Sequence, residues 1–175
     1  FSHVTAARLH GIPIPRALRS RRALDVSTAS GIQPRMRGVI GHRTACRVVL
    51  VDGLPVVAPE VAWLQLAPAL TVDELVVAGD YLVRRKRPAS RLERLRAEVA
   101  AAGSCRGIVT ARAAVADIRA GTDSPPESWM RLELVRAGLP TTVLLRGAVA
   151  AAFFGTEVYL PYLLHDVYGL PAWLS

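Results

Sequence analysis

The residues best equipped for chemistry are arginines, and they are unevenly placed. Residues 1–47 hold nine arginines and one acid, Asp25, whereas residues 48–175 hold 13 basic and 13 acidic residues, so the whole formal charge of +8 sits in the first quarter of the chain. Arg16, Arg19, Arg21 and Arg22 crowd an exit that Pro13 and Pro15 hold extended. Arg43 follows His42 at a strand end, and Arg85 and Arg87 belong to the run Arg84-Arg85-Lys86-Arg87. A guanidinium grips phosphate through paired N–H groups, where an ammonium offers a point charge. A concentration of such groups attracts polyanions and speeds their encounter. These arginines are therefore the candidate nucleic-acid contacts. The competing expectation is a solvated basic face, and for Arg84 to Arg87 a favourable helix C-terminus.

Other reactive types are sparse. His42-Arg43 can touch phosphate or simply end a strand. His165-Asp166 has the makings of a general base, but no nucleophile is placed to use it. Cys46 and Cys105 lack metal-ligand spacing and read as reduced, buried cytosolic thiols. Trp63, Trp129 and Trp173 are expected in a core or lid rather than as base-stacking platforms. The sequence shows no glycine-rich phosphate loop, no Cys/His metal cluster and no nucleophile elbow, which argues against nucleotide-dependent and hydrolase chemistry.

The elements that must position these residues are partly legible. Half of the 175 residues are hydrophobic, enough for a folded core. Ser2 is placed to cap a short helix from His3 to His10, stopped by Gly11. Residues 23–28 and 37–43 read as strands, with a turn at Ser30-Gly31 between them. In residues 46–57, Asp52-Gly53 between β-branched runs predicts a type I′ hairpin. Pro59 opens a helix to about Leu66, with Trp63 and Leu66 on one face. Thr71-x-x-Glu74 is a capping box for a helix to about Arg85, carrying Leu75, Val76, Ala78, Gly79 and Leu82 at helical spacing. Helices are expected over 90–102 and 107–119. Ser124-x-x-Glu127, with Pro125 at the first helical position, is a second capping box for a helix to Arg136, and that role accounts for Glu127 by itself. An apolar strand-like run follows at Thr142–Leu145. The longest apolar stretch, Gly147 to Phe154, falls short of the roughly 18 residues of a membrane helix, and no signal peptide is visible, so a cytoplasmic location is expected. Phe1 in first position implies a start upstream.

Four blocks also carry a resemblance. F-S-H-V-T-A-A-R-L-H-G at 1–11, G-V-I-G-H-R at 38–43 and D-G-L-P-V-V-A-P-E-V-A-W-L-Q-L-A at 52–67 resemble the shared N-terminal region of a large actinobacterial family. Parts of that region also resemble the C-terminal domain of AbiEi-type antitoxins. D-S-P-P-E-S-W-M-R-L-E-L-V-R-A-G-L-P at 123–140 resembles the entry helix of the family's second domain, which is related to very-short-patch-repair (Vsr-like) endonucleases of the PD-(D/E)XK fold. The resemblance implies that Glu127 assists a Mg²⁺ site whose main carboxylates lie on two following strands. Here Val158-Tyr159-Leu160-Pro161-Tyr162 puts tyrosine where the metal-binding aspartate belongs, no lysine follows position 86, and the chain after Pro140 is short for the fold. A frameshift, a premature stop or degeneration would each produce this pattern. Gln65 likewise stands where the family often has an acid.

These readings combine into one expectation. The fold is α/β of the α+β type, with an antitoxin-like helix and antiparallel-sheet module at 1–58, a helical region at 59–120 and a truncated or eroded endonuclease-like domain at 121–175. The protein is expected to bind DNA without cutting it, with no cofactor or metal in this form. One alternative is an antitoxin-like regulator whose partner is an operator, a cognate toxin or a second copy. Another is a Mg²⁺-dependent endonuclease whose missing carboxylates are encoded elsewhere in the gene.

Overall fold

The computed structural model describes residues 1–29 and 33–138. The chain opens with helix α1 (His3–Leu9) and the single-turn helix α2 (Arg16–Arg19). Strands β1 (Leu24–Thr28) and β2 (Val39–Arg43) pair in parallel, and β3 (Val48–Val51) and β4 (Leu54–Val57) form an antiparallel hairpin. Helices α3 (Pro59–Leu66), α4 (Val72–Leu82), α5 (Leu92–Ala101), α6 (Ile108–Asp117) and α7 (Pro125–Arg136) follow. This is the α+β class that the sequence predicts. Phe1–Trp129 is one compact unit, and Met130–Ser175 is a second, of which residues 130–138 are described.

Local chemistry explains several boundaries. Asp52 and Gly53 have φ of 49° and 79°, as a type I′ turn requires. The capping box of α4 is complete: Glu74 N–H donates to Thr71 Oγ1 (3.3 Å), and Thr71 N–H donates to Glu74 Oε2 (2.8 Å). Pro59 occupies the first turn of α3, where its missing N–H costs nothing.

Other boundaries depart from expectation. Ser2 stands at the N-cap of α1 but does not cap it; its backbone N–H instead donates to Asp25 O (3.0 Å). The segment after Pro15 closes into α2 rather than staying extended. β1 and β2 are parallel where an antiparallel sheet was expected, and the ten residues 29–38 between them are long enough to carry the chain back to the starting end. The returning connection lies on Gly41, where a β-carbon would stand 2.4 Å from Pro34 O, and Gln33 Nε2 donates to Gly41 O (2.6 Å). α4 ends at Leu82, so Arg84 to Arg87 lie beyond it; Arg84 still donates to Tyr81 O (2.9 Å) while lying over the Tyr81 ring. Neither cysteine is buried: Cys46 is half-buried and Cys105 is exposed in the loop before α6. Trp129 is also exposed, beside Pro13, Pro15 and Pro125. The expected turn at 30–31, the run at 142–145, His165-Asp166 and Trp173 lie outside the described residues.

The core of the first unit draws on both the expected 1–58 module and the expected 59–120 region. α1 packs on α3 and β1, and α4 packs on α6. Ala6 and Ala7 of α1, Val56 of β4 and Trp63 of α3 are fully buried. Trp63 Nε1–H donates to Leu75 O (2.9 Å), so the indole buries its area without stranding its donor. Gly79 lets α4 approach α6: a β-carbon there would stand 2.2 Å from Ile118 Cδ1. Glu60 is a buried charge, 1% exposed, that receives Arg47 (2.7 Å) and the Ser90 hydroxyl (2.5 Å). Burial pushes its carboxyl up, but the Ser90 and Arg47 contacts outweigh that and hold it below the usual range.

Candidate nucleic-acid interface

The parallel register gathers arginines that are distant in sequence. Leu24 pairs with Val39, and Leu24 N–H donates to Gly38 O (2.8 Å). Arg22 and Arg37 each stand two positions before this pair, so they leave the same end of the sheet. α2, with Arg16 and Arg19, leads into that end, and Arg35 precedes Arg37. Arg43 sits at the opposite end, across from Thr28. Arg16, Arg19, Arg22, Arg35, Arg37 and Arg43 are exposed, and among the described residues none is ion-paired.

The other expected contacts are occupied to different degrees. Arg21 is half-buried and donates to Asp25 Oδ2, so its charge is spent internally. Arg85 pairs with Asp123 (2.6 Å), and that bond holds the Asp123 carboxyl below its usual range. Arg87 is exposed. Glu127 folds back on the start of α7: its carboxylate accepts the Asp123 N–H (3.0 Å) and the Ser124 hydroxyl (3.0 Å). That is helix-start locking, achieved by both oxygens at once.

Along the β1–β2 pair lies a cluster that sequence reasoning missed. Asp25 is 2% exposed, and its Oδ1 accepts from His42 Nε2 (3.0 Å). The His42 ring stacks on His3, with centroids 3.6 Å apart and planes 17° apart. His3 has a φ of 46°, a left-handed conformation that costs a non-glycine residue roughly 1–2 kcal/mol. Three contacts hold it there: its N–H donates to Gln65 Oε1 (2.8 Å), its Nδ1 lies 3.1 Å from Ser2 Oγ, and the ring is stacked. Burial, the neighbouring His42 and Arg21 lower the His3 pKa to about 4, against an opposing pull from Asp25. His3 is therefore neutral at pH 7. Asp25 N–H donates to Thr5 Oγ1 (2.8 Å), which straps α1 to β1 a second time. The available signal was Asp25 itself, a lone acid in a strand-forming run, where aspartate is disfavoured without a partner.

His3, Asp25 and His42 bring one ligand atom each within 4.8 Å of the others. Their orientation suits protons better than an ion. A metal about 2.0–2.1 Å from one imidazole nitrogen lies in that ring's plane. With the rings stacked, it would stand well out of the plane of the other, so coordination by both requires His3 to leave its stack.

The cluster lines a cavity of about 680 Å³ in the first unit. Its walls are apolar at Ile40, Val61 and Leu64, and Gln65, Glu98 and Arg106 supply polar groups. Cys46 also faces it; burial and the neighbouring Glu98 push its thiol pKa up, against the Gln65 hydrogen bond. Burial likewise raises Glu98. Among the described residues, no helix is long and apolar enough to cross a membrane. Comparison with protein-family models, with curated proteins and with solved structures found no match to this chain.

Proposed function

We propose that this is a cytoplasmic, DNA-associated protein, related to Vsr-like endonucleases, that binds nucleic acid without cutting it. The carrying observation is the burial of Asp25. It is the one acid among residues 1–47, it is 2% exposed, and Arg21 and His42 answer it internally. Among the described residues, that segment therefore puts arginines and no acid on the surface. The parallel register then places Arg22 and Arg37 at one end, beside Arg16 and Arg19. Binding without cleavage is supported by Glu127, whose two carboxylate oxygens are committed to the start of α7.

The test is fluorescence anisotropy with a short DNA duplex, titrated across salt concentration, with and without Arg16→Ala, Arg19→Ala and Arg22→Ala combined. Each lost phosphate contact lowers the slope of log affinity against log salt by about 0.9. The triple variant should therefore lose about 2.7 in slope if each arginine meets one phosphate. Affinity that ignores salt would sink the proposal. Plasmid nicking with Mg²⁺ that disappears in Glu127→Ala would overturn the non-cleaving part.

A further inference from the structure

We infer that the cavity lined by Arg21, Asp25 and His42 receives an unstacked nucleobase, a reading that rests on nucleic-acid binding by this chain. Three observations converge on it. The first is size and character. A volume of about 680 Å³ admits a base with room to spare, and apolar walls at Ile40, Val61 and Leu64 with polar edges at Gln65, Glu98 and Arg106 suit a flat ligand with greasy faces and a hydrogen-bonding rim. A nucleobase has that chemistry.

The second is position. The lining runs from Arg21 and Asp25 across to Ile40 and His42 and on to Arg47, and exposed Arg22 and Arg43 each follow a lining residue, Arg21 and His42. Adjacent residues are about 3.8 Å apart along the backbone, less than the span of one nucleotide. A strand whose phosphates meet Arg22 or Arg43 carries its bases within reach of the cavity.

The third is preorganisation. His3 is held in a left-handed conformation and stacked on His42, and the buried Asp25 fixes the His42 ring in turn. Backbone strain of this kind persists where the surroundings enforce it, and it concentrates at ligand sites. The result is a rigid aromatic wall that needs no reordering when a base arrives. Unpaired strands offer such bases freely, and a duplex must first be opened.

The experiment compares a thymidine 12-mer with a 12-mer of equal phosphate count in which the central bases are abasic, using anisotropy at fixed salt. Stacking of even one base predicts about tenfold tighter binding of the base-bearing strand. Two variants obstruct the cavity with non-aromatic bulk: Ala69→Leu, from an exposed position on its rim, and Ala102→Leu, from its wall. Each should erase the tenfold preference while leaving abasic binding unchanged, and either alone suffices if the other fails to fold. Equal affinity of the wild-type protein for both strands would overturn the pocket and leave phosphate binding standing. Preference that survives in a folded obstructed variant would also overturn it. Failure of both strands to bind would overturn the pocket, and failure of the duplex as well would overturn the nucleic-acid reading with it.

Discussion

Moderate acid should destabilise this protein through His3. The group is specific: His3 is stacked on His42, faces Asp25 and Arg21, and has its pKa lowered to about 4 from an ordinary 6.5, first by burial. A folded-state pKa below the unfolded value means that the unfolded chain binds the proton more readily. Stability is then intact above about pH 6.5 and falls as pH drops toward 4. Applied to those two values, linkage gives a loss of roughly 2 kcal/mol between pH 7.5 and pH 5. Glu60, held below the usual glutamate range, is still ionised in this window and does not contribute. Glu98, raised by burial, acts in the opposite direction and is common to both proteins compared. The comparison protein is His3→Asn, because asparagine tolerates positive φ and carries no titrating group. Urea unfolding at pH 7.5 and at pH 5 should show the wild type losing roughly 2 kcal/mol more than His3→Asn. Equal losses in the two proteins would refute the assignment, whatever their absolute stabilities.

Other consequences are as direct. Gly79→Ala places a methyl group 2.2 Å from Ile118 Cδ1, so thermal unfolding should show a loss of about 1–3 kcal/mol or more. Glu60→Ala strands the buried Ser90 hydroxyl and releases half-exposed Arg47 to water, and should cost about 1–3 kcal/mol in denaturant unfolding at pH 7. Because the Glu60 pKa is lowered, its contribution should persist above about pH 4.5 and fade as pH falls below that, so the gap between wild type and variant should narrow in acid. Iodoacetamide at pH 8 should label exposed Cys105 well ahead of half-buried Cys46, whose thiol is pushed up; mass spectrometry of partly labelled protein checks the order.

What could be read from the sequence was what short-range chemistry decides. Asp52-Gly53, Thr71-x-x-Glu74 and Pro59 each specify a backbone geometry within four residues, and each element stands where those residues require it. The exposure of the early arginines was legible for the same reason, since charge prefers water wherever the chain runs. The sign of the β1–β2 pairing was not legible, because it depends on a ten-residue connection rather than a turn type. That single topological fact had the largest consequence for the site. Residues 3, 25 and 42 have no periodic relation, and only the parallel register, with α1 strapped across it, stacks His3 on His42 over Asp25.

The same topology separates two kinds of arginine that look alike in sequence. Arg21 and Arg22 are neighbours, yet Arg21 turns inward to neutralise Asp25 and Arg22 remains exposed beside the exit that Arg37 shares. A buried carboxylate needs a partner, so one cation from the cluster must be given up to the fold. The loss leaves the surface more uniformly positive than composition implies, because the acid that would have screened the cluster leaves with it. Replacing Asp25 with Asn would therefore be a poor way to strengthen nucleic-acid binding. It frees Arg21 on paper, but it strands a half-buried guanidinium and loosens His42, so the basic end loses the scaffold that orients it.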